Sequence, residues 1–174
     1  MKDTKTLIGI YLKGIPGGLG DLKRLFPNRP ASVKELLHCL QPKPEDLADP
    51  AFFNASTTIM FYMIVRAIVQ IANHDEIGRF TAGNIPDGTV VLSIADGPAG
   101  ALHVKDHAFS CSTQAPEAYH AIMEFKDMTL ARELFEGKVS ALACVGRGLV
   151  SMRGNLGMLD NINRLLDRVA VYLG

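Results

Sequence analysis

The stretch TTIMFYMIVRAIVQIA, from Thr57 to Ala72, is the most apolar run in the chain and sets the conditions for the rest of the fold. Tyr62, Arg66 and Gln70 follow one another at spacings of four residues, so they form one narrow polar stripe along a helix. Nearly all of the remaining circumference is apolar. We therefore predict a helix from about residue 54 to residue 74 that must be covered on more than one side, by a sheet, a neighbouring helix, a partner subunit or a ligand.

The same run raises the question of a membrane. A transmembrane helix needs about 20 consecutive apolar residues, and this run is shorter and contains Arg66 and Gln70. We predict a buried core helix and no transmembrane segment. The N-terminus, Met1 to Lys5, is not followed by an apolar core of signal-peptide length, so we expect a cytoplasmic protein.

Downstream of this helix, apolar residues recur at every second position instead of at helical spacing, which is typical of strands. The sequence predicts strands at about 88–95, 100–104, 109–113, 119–125 and 148–153. Because the links between successive strands are short, we expect antiparallel pairing.

Capping residues mark the helices that accompany these strands. Asp127 can begin a helix that ends at Glu136, a short helix follows at 140–145, and Asn155 can begin the last helix. The order of elements predicts the α+β class, a five-stranded antiparallel sheet with helices covering one face.

Residues 1–52 differ in composition from residues 53–174. The segment GIPGGLGD, Gly14 to Asp21, contains four glycines and one proline and predicts a loop. Ser32 and Glu35 have the spacing of a capping box before a short helix, and QPKPEDLADP, Gln41 to Pro50, contains three prolines. We predict that residues 1–52 are an N-terminal extension of loops and short helices, and that residues 53–174 form the main domain.

Composition limits the classes of function. The chain has 174 residues, of which 48% are hydrophobic and 21% are charged, as expected for one compact globular domain. Eighteen basic residues balance eighteen acidic ones, so no net positive charge favours nucleic acid, and we predict no nucleic-acid partner. The three cysteines are odd in number and lack C-x-x-C spacing, which indicates a reducing compartment.

Catalytic and cofactor motifs are absent from the sequence. After Gly146 and Gly148 a dinucleotide fingerprint would need a glycine at Ser151, and no Gly-Lys-Ser/Thr or G-x-S-x-G segment occurs. His103, His107 and Cys111 could converge on zinc across a hairpin, but surface or satisfied polar groups are the preferred interpretation. Cys144 or His103 could serve an enzyme, yet neither has a partner recognisable in the sequence. We predict no catalytic residue, no metal and no cofactor.

The C-terminal third resembles a known family. DMTLARELFEGKVSALACVGRGLVSMRGNLGMLDNINRLLDRV, Asp127 to Val169, resembles the end of the sterol carrier protein type two family: a short helix, Gly-Lys, a second short helix, a strand that ends in Gly-Asn, and a closing helix. Upstream, PDGTVVLSIADGPAGALHVKDH, Pro86 to His107, looks like the first two strands of that family. The segment before residue 53 has no counterpart, the stretch from Cys111 to Glu124 differs from the family's usual acidic one, and the C-terminus lacks a peroxisomal signal.

The resemblance implies a sheet and helices that enclose an apolar tunnel for a fatty acid, a fatty acyl-CoA or a sterol-like lipid, in a module for lipid binding and transport that is not an enzyme. The methionines of the predicted core are consistent with such a tunnel, because the Met side chain is flexible enough to line an irregular apolar wall. Ordinary core filling explains them too. The predicted ligand-binding residues are the apolar side chains of the long helix, the sheet and the later helices: Met60, Met63, Ile64, Ala67, Leu92, Ile94, Met123, Phe125, Met128, Phe135, Met152, Met158, Leu159 and Ile162.

Arg66 is the candidate contact for a polar head, because it interrupts the apolar helix; a solvated arginine beside Gln70 is the alternative. A second hypothesis for the whole chain is an interaction or regulatory module, in which the apolar helix packs in a homodimer or against a partner enzyme. A continuous apolar cavity would favour the ligand, and a solid core with a broad exposed apolar patch would favour the interface.

Overall fold

The computed structural model describes residues 3–173 and has helices and strands in one α+β arrangement. The elements in chain order are α1 Thr4–Leu25, α2 Val33–Leu40, a 3-10 turn Asp46–Ala48, α3 Pro50–His74, α4 Glu76–Ala82, β1 Gly88–Ile94, β2 Ala99–Lys105, β3 Ala108–Ser112, β4 Ala121–Phe125, α5 Met128–Phe135, α6 Ala141–Gly146, β5 Val150–Gly154 and α7 Leu156–Leu173.

The long apolar helix predicted from the sequence is α3, and it begins four residues earlier than expected. The Asp49 side chain accepts a hydrogen bond from the Ala51 N–H at 3.0 Å, and Pro50 occupies the first helical position, where a missing N–H costs nothing. By length and composition α3 could cross a membrane, but 78% of its most apolar window is buried inside the protein. We conclude that α3 is the central core helix, as the sequence predicts.

The five strands form a mixed sheet in the order β3-β2-β1-β4-β5. Every neighbouring pair is antiparallel except β1 and β4, which are parallel. The expectation of a purely antiparallel sheet is therefore wrong in this detail. After β3, residues 113–120 pass β2 and β1, and β4 then pairs with the far edge of β1. A short link therefore joins β3 and β4, which are not neighbours in the sheet.

One face of the sheet packs against helices, as predicted. Alternate residues of β1 and β4, including Leu92 and Phe125, belong to the main core together with α3 and α7. The other face carries polar groups such as Ser93 and Glu124 around a small buried cluster of Val91, Ala101 and Ile122. The side-chain period of two in a strand produces this division into a covered and a polar face.

The predicted loop at Gly14–Asp21 is wrong, because α1 runs through it. The glycines serve close helix packing. A Cβ at Gly14 would lie 2.9 Å from the Met63 Cε atom, and a Cβ at Gly18 would lie 2.9 Å from a Leu36 methyl carbon. Glycine therefore lets α1 approach α3 and α2 closely, and this requirement outweighs its low helix propensity.

The two N-terminal helices cover the side of α3 that faces away from the sheet. Leu22, Leu36 and Cys39 form a second buried cluster with Phe52, Ile59 and Met63 of α3. The predicted boundary between residues 52 and 53 falls inside the first turns of α3, so the chain has no linker there. The division into an extension and a main domain stays a prediction.

The packing of α1 predicts opposite effects for two glycine substitutions. Gly20→Ala, at a position with nothing within 4 Å of the added Cβ, should raise the free energy of unfolding by about 0.5–1 kcal/mol, because alanine favours the helix. The free energy of unfolding of Gly18→Ala should be about 1–2 kcal/mol lower than that of Gly20→Ala, because the added Cβ overpacks against Leu36. Urea denaturation of both variants measures the difference, and equal stabilisation would argue against a close α1 contact.

A buried carboxylate fixes the far end of α3. Asp75 accepts two hydrogen bonds from Arg168 of α7 at 2.9 Å, one from the Tyr172 hydroxyl, and one from the Gly78 N–H at the start of α4. The Tyr172 hydroxyl also accepts from the Asp3 N–H. Burial acts to raise the pKa of Asp75, but the hydrogen bonds from Arg168 and Tyr172 outweigh it and lower the pKa to about 2.

Asp75 should make the protein sensitive to acid. Because the folded-state pKa of Asp75 lies below the ordinary aspartate value of 3.8, its contribution to stability is complete above about pH 4 and is lost as the pH falls through about 2. Asp75→Asn should lower the free energy of unfolding at pH 7 by about 2–4 kcal/mol and reduce its dependence on pH between 4 and 2. Urea denaturation across this pH range provides the measurement, and an unchanged pH dependence would contradict the assignment.

Candidate functional site

Most of the apolar residues predicted to bind a ligand meet in one core. Leu92, Ile94, Met123 and Phe125 lie on the covered face of the sheet. Met152 of β5 lies beside Met123 in the sheet. Opposite the sheet are buried side chains of α3 and α7 and partly buried side chains of α3 and α5: Ile64, Ala67, Met158, Leu159, Ile162, Met60, Met128 and Phe135. The structure thus brings together thirteen of the fourteen residues, while their role in binding stays a prediction.

Met63 is the exception. It belongs to the second cluster and contacts α1, where a Cβ at Gly14 or Gly18 would touch its side chain. The placement of Met63 in a wall facing the sheet is wrong, because the apolar surface of α3 extends around the helix and Met63 lies on the side that α1 covers.

Neither of two open cavities on the described part of the protein is lined by any of the fourteen residues. One, of about 720 Å³, lies between α4 and the β2–β3 turn and is lined by groups such as Arg79, Phe80 and His107. The other, of about 320 Å³, lies between α3 and β3. Neither is the continuous apolar cavity expected for a bound ligand, so a ligand could reach the predicted site only where the packing of helices and sheet opens.

Arg66 lines the smaller cavity together with Tyr62 and Thr113. Its Nη1 atom lies 2.7 Å from the Asp21 carboxylate of α1, which also accepts from Arg24 at 3.3 Å. The Arg66 side chain is 18% exposed and is paired with Asp21, so an anionic head at this cavity would compete with that carboxylate. Its assignment as a head contact stays a prediction.

The least complete cover of the core lies at α5, α6 and β5. Twelve apolar residues pack against the main core while being only partly buried, and seven of them lie between residues 128 and 152: Met128, Leu134, Phe135, Val139, Val145, Leu149 and Met152. By contrast, Leu92, Ile68 and Leu159 beneath and beside them are at most 1% exposed. Several of the described apolar side chains in this part of the core are thus only partly buried.

Aromatic side chains connect α5 to the core. The Phe135 ring of α5 lies 5.6 Å from the Phe125 ring of β4 and 6.4 Å from the Phe61 ring of α3, measured between centroids. Met128, Arg132 and Phe135 are spaced by four and three residues and share one face of α5. We call the apolar layer formed by Met128 and Phe135 with Phe61 and Phe125 the α3–α5 seam.

Arg132 is a buried cation beside this seam, which sequence reasoning missed. Its side chain is 3% exposed. The Nε atom donates to Glu136 at 2.8 Å, and Nη1 donates to Ser56 at 2.9 Å and Thr57 at 3.2 Å. The signal in the sequence is its position four residues after Met128 and three before Phe135, on an otherwise apolar face of an amphipathic helix.

The Ser56 hydroxyl is oriented to receive this arginine. It donates its own proton to the Cys39 carbonyl oxygen at 2.7 Å, so that a lone pair remains for Arg132. Ser56 and Thr57 are both 0% exposed. A polar chain therefore runs from α2 through α3 to α5 inside the protein.

Glu136 balances the charge of Arg132 and also binds Lys138 at 2.6 Å. Burial acts to raise the pKa of Glu136, but the hydrogen bond from Lys138 and the charge of Arg132 outweigh it and lower the pKa below its usual value. Glu136 is therefore ionised at neutral pH.

The residues considered for catalysis or zinc do not converge. His103 contacts Thr89 and Ser112 at 3.2 and 3.3 Å, whereas Cys111 pairs with Leu102 and packs towards the core. Burial raises the pKa of Cys111, which disfavours a thiolate. Cys144 is buried in the main core. Within residues 3–173, no group of three metal-ligating side chains comes together.

Comparison of the sequence with protein-family models and with curated proteins finds no match. Solved structures similar in fold include many sterol carrier protein 2 domains, the family that the sequence resembles.

The sterol carrier protein domain 2 of Helicoverpa armigera is 14% identical, with a TM-score of 0.48 over 74% of this chain and 93% of that chain. The sterol carrier protein 2 of Yarrowia lipolytica in its apo form is 16% identical, with a TM-score of 0.44 over 66% of this chain and 92% of that one. A sec-alkylsulfatase from a Pseudomonas species also matches, at 11% identity and a TM-score of 0.34 over 86% of this chain but 32% of its own length.

Incomplete burial predicts that α5 and α6 open more readily than the rest of the core. Their backbone amides should exchange with deuterium at lower protection than those of α3 and β1, because fewer buried apolar contacts hold these helices in place. Native-state hydrogen exchange of the ligand-free protein measures this difference. Equal protection across these four elements would contradict it.

Proposed function

We propose that the chain binds a hydrophobic ligand, such as a fatty acid, a fatty acyl-CoA or a sterol-like lipid, in the α3–α5 seam, and carries it without chemical conversion. The observation that supports this proposal is the contrast between a fully buried apolar floor and an incompletely buried apolar cover at α5 and α6. A cover of this kind can separate from the floor at a lower cost than the rest of the core.

Energetics permit such a ligand. Burial of a chain of about sixteen carbons, at about 0.8 kcal/mol per CH₂, gives an upper limit of about 12 kcal/mol. Much of this free energy is offset by ordering the hydrocarbon chain, by the loss of its translational freedom and by the displacement of α5. The remaining affinity is in the micromolar range. The ligand would lie against the rings of Phe61, Phe125 and Phe135 once α5 moves away from the sheet.

The interaction module is the second candidate. In this structure α1 and α2 cover the face of α3 that was expected to bind a partner, so that face is occupied by the same chain. Exposed apolar residues lie elsewhere, with Ile8, Tyr11 and Leu12 between 45% and 69% exposed on α1. An interface would therefore use α1, and a homodimer would appear as a doubled mass.

Native mass spectrometry of the purified protein, with organic extraction of whatever co-purifies, tests the proposal. We expect about one lipid per chain, or uptake of added fatty acid, acyl-CoA or sterol to that ratio, together with slower deuterium exchange in α5 and α6. A clean unliganded mass with no uptake would contradict lipid binding, and a concentration-dependent dimer of unliganded chains would favour the interface.

Two phenylalanine substitutions locate the site. Phe135→Ala should weaken lipid binding at least tenfold, because it removes the ring that contacts both Phe61 and Phe125. Phe80→Ala, at a residue that is 79% exposed beside the larger cavity, is the matched control and should leave affinity unchanged. Fluorescent-lipid displacement measures both. If Phe80→Ala alone weakened binding, the ligand would lie at α4 instead.

A further inference from the structure

The Arg132 guanidinium has a capacity for hydrogen bonds that the folded chain leaves unused. Arginine has five N–H donors. Three of them are used, one on Nε towards Glu136 and two on Nη1 towards Ser56 and Thr57. Nη2 is buried and has no hydrogen-bond partner, so two donors of a charged group remain unmet.

An unmet donor on a buried cation is costly, because the group has left water without gaining an acceptor. The other contact of the guanidinium is the Phe53 ring, 5.7 Å from Cζ, which accepts no conventional hydrogen bond. Arg132 therefore presents a buried, positively charged donor pair beside the Phe53 ring. Such an arrangement matches an acceptor that arrives with an apolar molecule.

The position of Arg132 relates this donor pair to the seam. Arg132 shares a face of α5 with Met128, one turn before it, and Phe135, one turn after it. A carboxylate at Nη2 would thus lie at one end of an apolar path that continues past Phe135 to Phe61 and Phe125. Arg66 lies ten residues after Ser56 on α3, which is roughly 15 Å along the helix axis from the residue that binds Arg132. Arg66 is already paired with Asp21.

We infer that Nη2 of Arg132 binds the carboxylate of a long-chain monocarboxylic acid whose hydrocarbon tail lies in the α3–α5 seam. This inference rests on the proposed function and specifies the ligand class within it: a fatty acid in its anionic form, in preference to an uncharged lipid of the same length. Ser56, Thr57 and Glu136 position the guanidinium, and Nη2 makes the contact.

The local charges support a single anion. Arg132 and Lys138 together carry two positive charges, and Glu136 supplies one negative charge between them. One further carboxylate would make the cluster neutral. Because the site is buried, its Coulomb interactions are weakly screened by salt, and a charge-assisted hydrogen bond there is strong.

Dodecanoic acid and 1-dodecanol test the inference, because they share a tail and differ in the head. Isothermal titration calorimetry at pH 8 should show the acid binding at least tenfold more tightly than the alcohol to the wild-type chain. Arg132→Gln should reduce the affinity for the acid to that for the alcohol and leave the alcohol unchanged. Acetate, which has the head without the tail, should not bind measurably.

Glu136→Gln should raise the affinity for the acid, whereas Arg132→Gln should lower it, and misfolding would not produce an increase. Glu136→Gln removes the negative charge that competes for Arg132, so acid affinity should rise severalfold while alcohol affinity stays the same. Arg164→Gln, an exposed arginine in an i,i+4 pair with Asp160 on α7, is the matched control and should change neither affinity.

The outcomes separate this inference from the function beneath it. Equal binding of acid and alcohol, with no effect of Arg132→Gln, overturns the inference and leaves hydrophobic-ligand binding in place; Nη2 would then have a water molecule as its partner. Loss of acid preference in Arg66→Gln but not in Arg132→Gln overturns it in favour of Arg66. Binding of neither compound to any variant overturns the proposed function and the inference together.

Discussion

The burial of α3 is the constraint on which the rest of the structure depends. Twenty-five residues form a helix that is apolar around most of its circumference, so exposure of any broad side would leave a large apolar surface in water. The sheet, with α5 and α7, covers one side of α3, while α1 and α2 cover the other. The need for cover that the sequence indicates is thus met largely by the chain itself.

The few polar side chains of α3 form hydrogen bonds and ion pairs with the neighbouring elements. Asn73 donates to the Phe109 carbonyl at 2.8 Å and accepts from the Phe109 N–H at 2.9 Å, which pairs outward-facing backbone groups of the edge strand β3. Arg66 binds Asp21 of α1, and Ser56 links α2 and α5 through the Cys39 carbonyl and Arg132. These polar groups of α3 therefore help to fix the positions of α1, α2, α5 and β3.

The proposed function depends on unequal packing. The floor of the core is closed, but apolar residues of α5, α6 and β5 are only partly buried, and a cation with unmet donors lies beside them. A core that was satisfied throughout would have neither feature. In the proposed function, the α3–α5 seam supplies the apolar layer and Arg132 supplies the charged group for a head, and this combination would favour an amphipathic ligand over a purely apolar one.

The sequence by itself determined the α+β class, the core helix, the five strands and the covered face of the sheet, because hydrophobic period and capping residues are local properties. Glycines 14, 17, 18 and 20 read locally as a loop, whereas close contact with Met63, Arg66 and Leu36 explains three of them. The parallel pairing of β1 with β4, the ion pair of Arg66 with Asp21 and the unmet donors of Arg132 each depend on residues distant in the chain. Only the tertiary structure could decide these, because long-range packing sets which groups meet and which polar atoms remain without a partner.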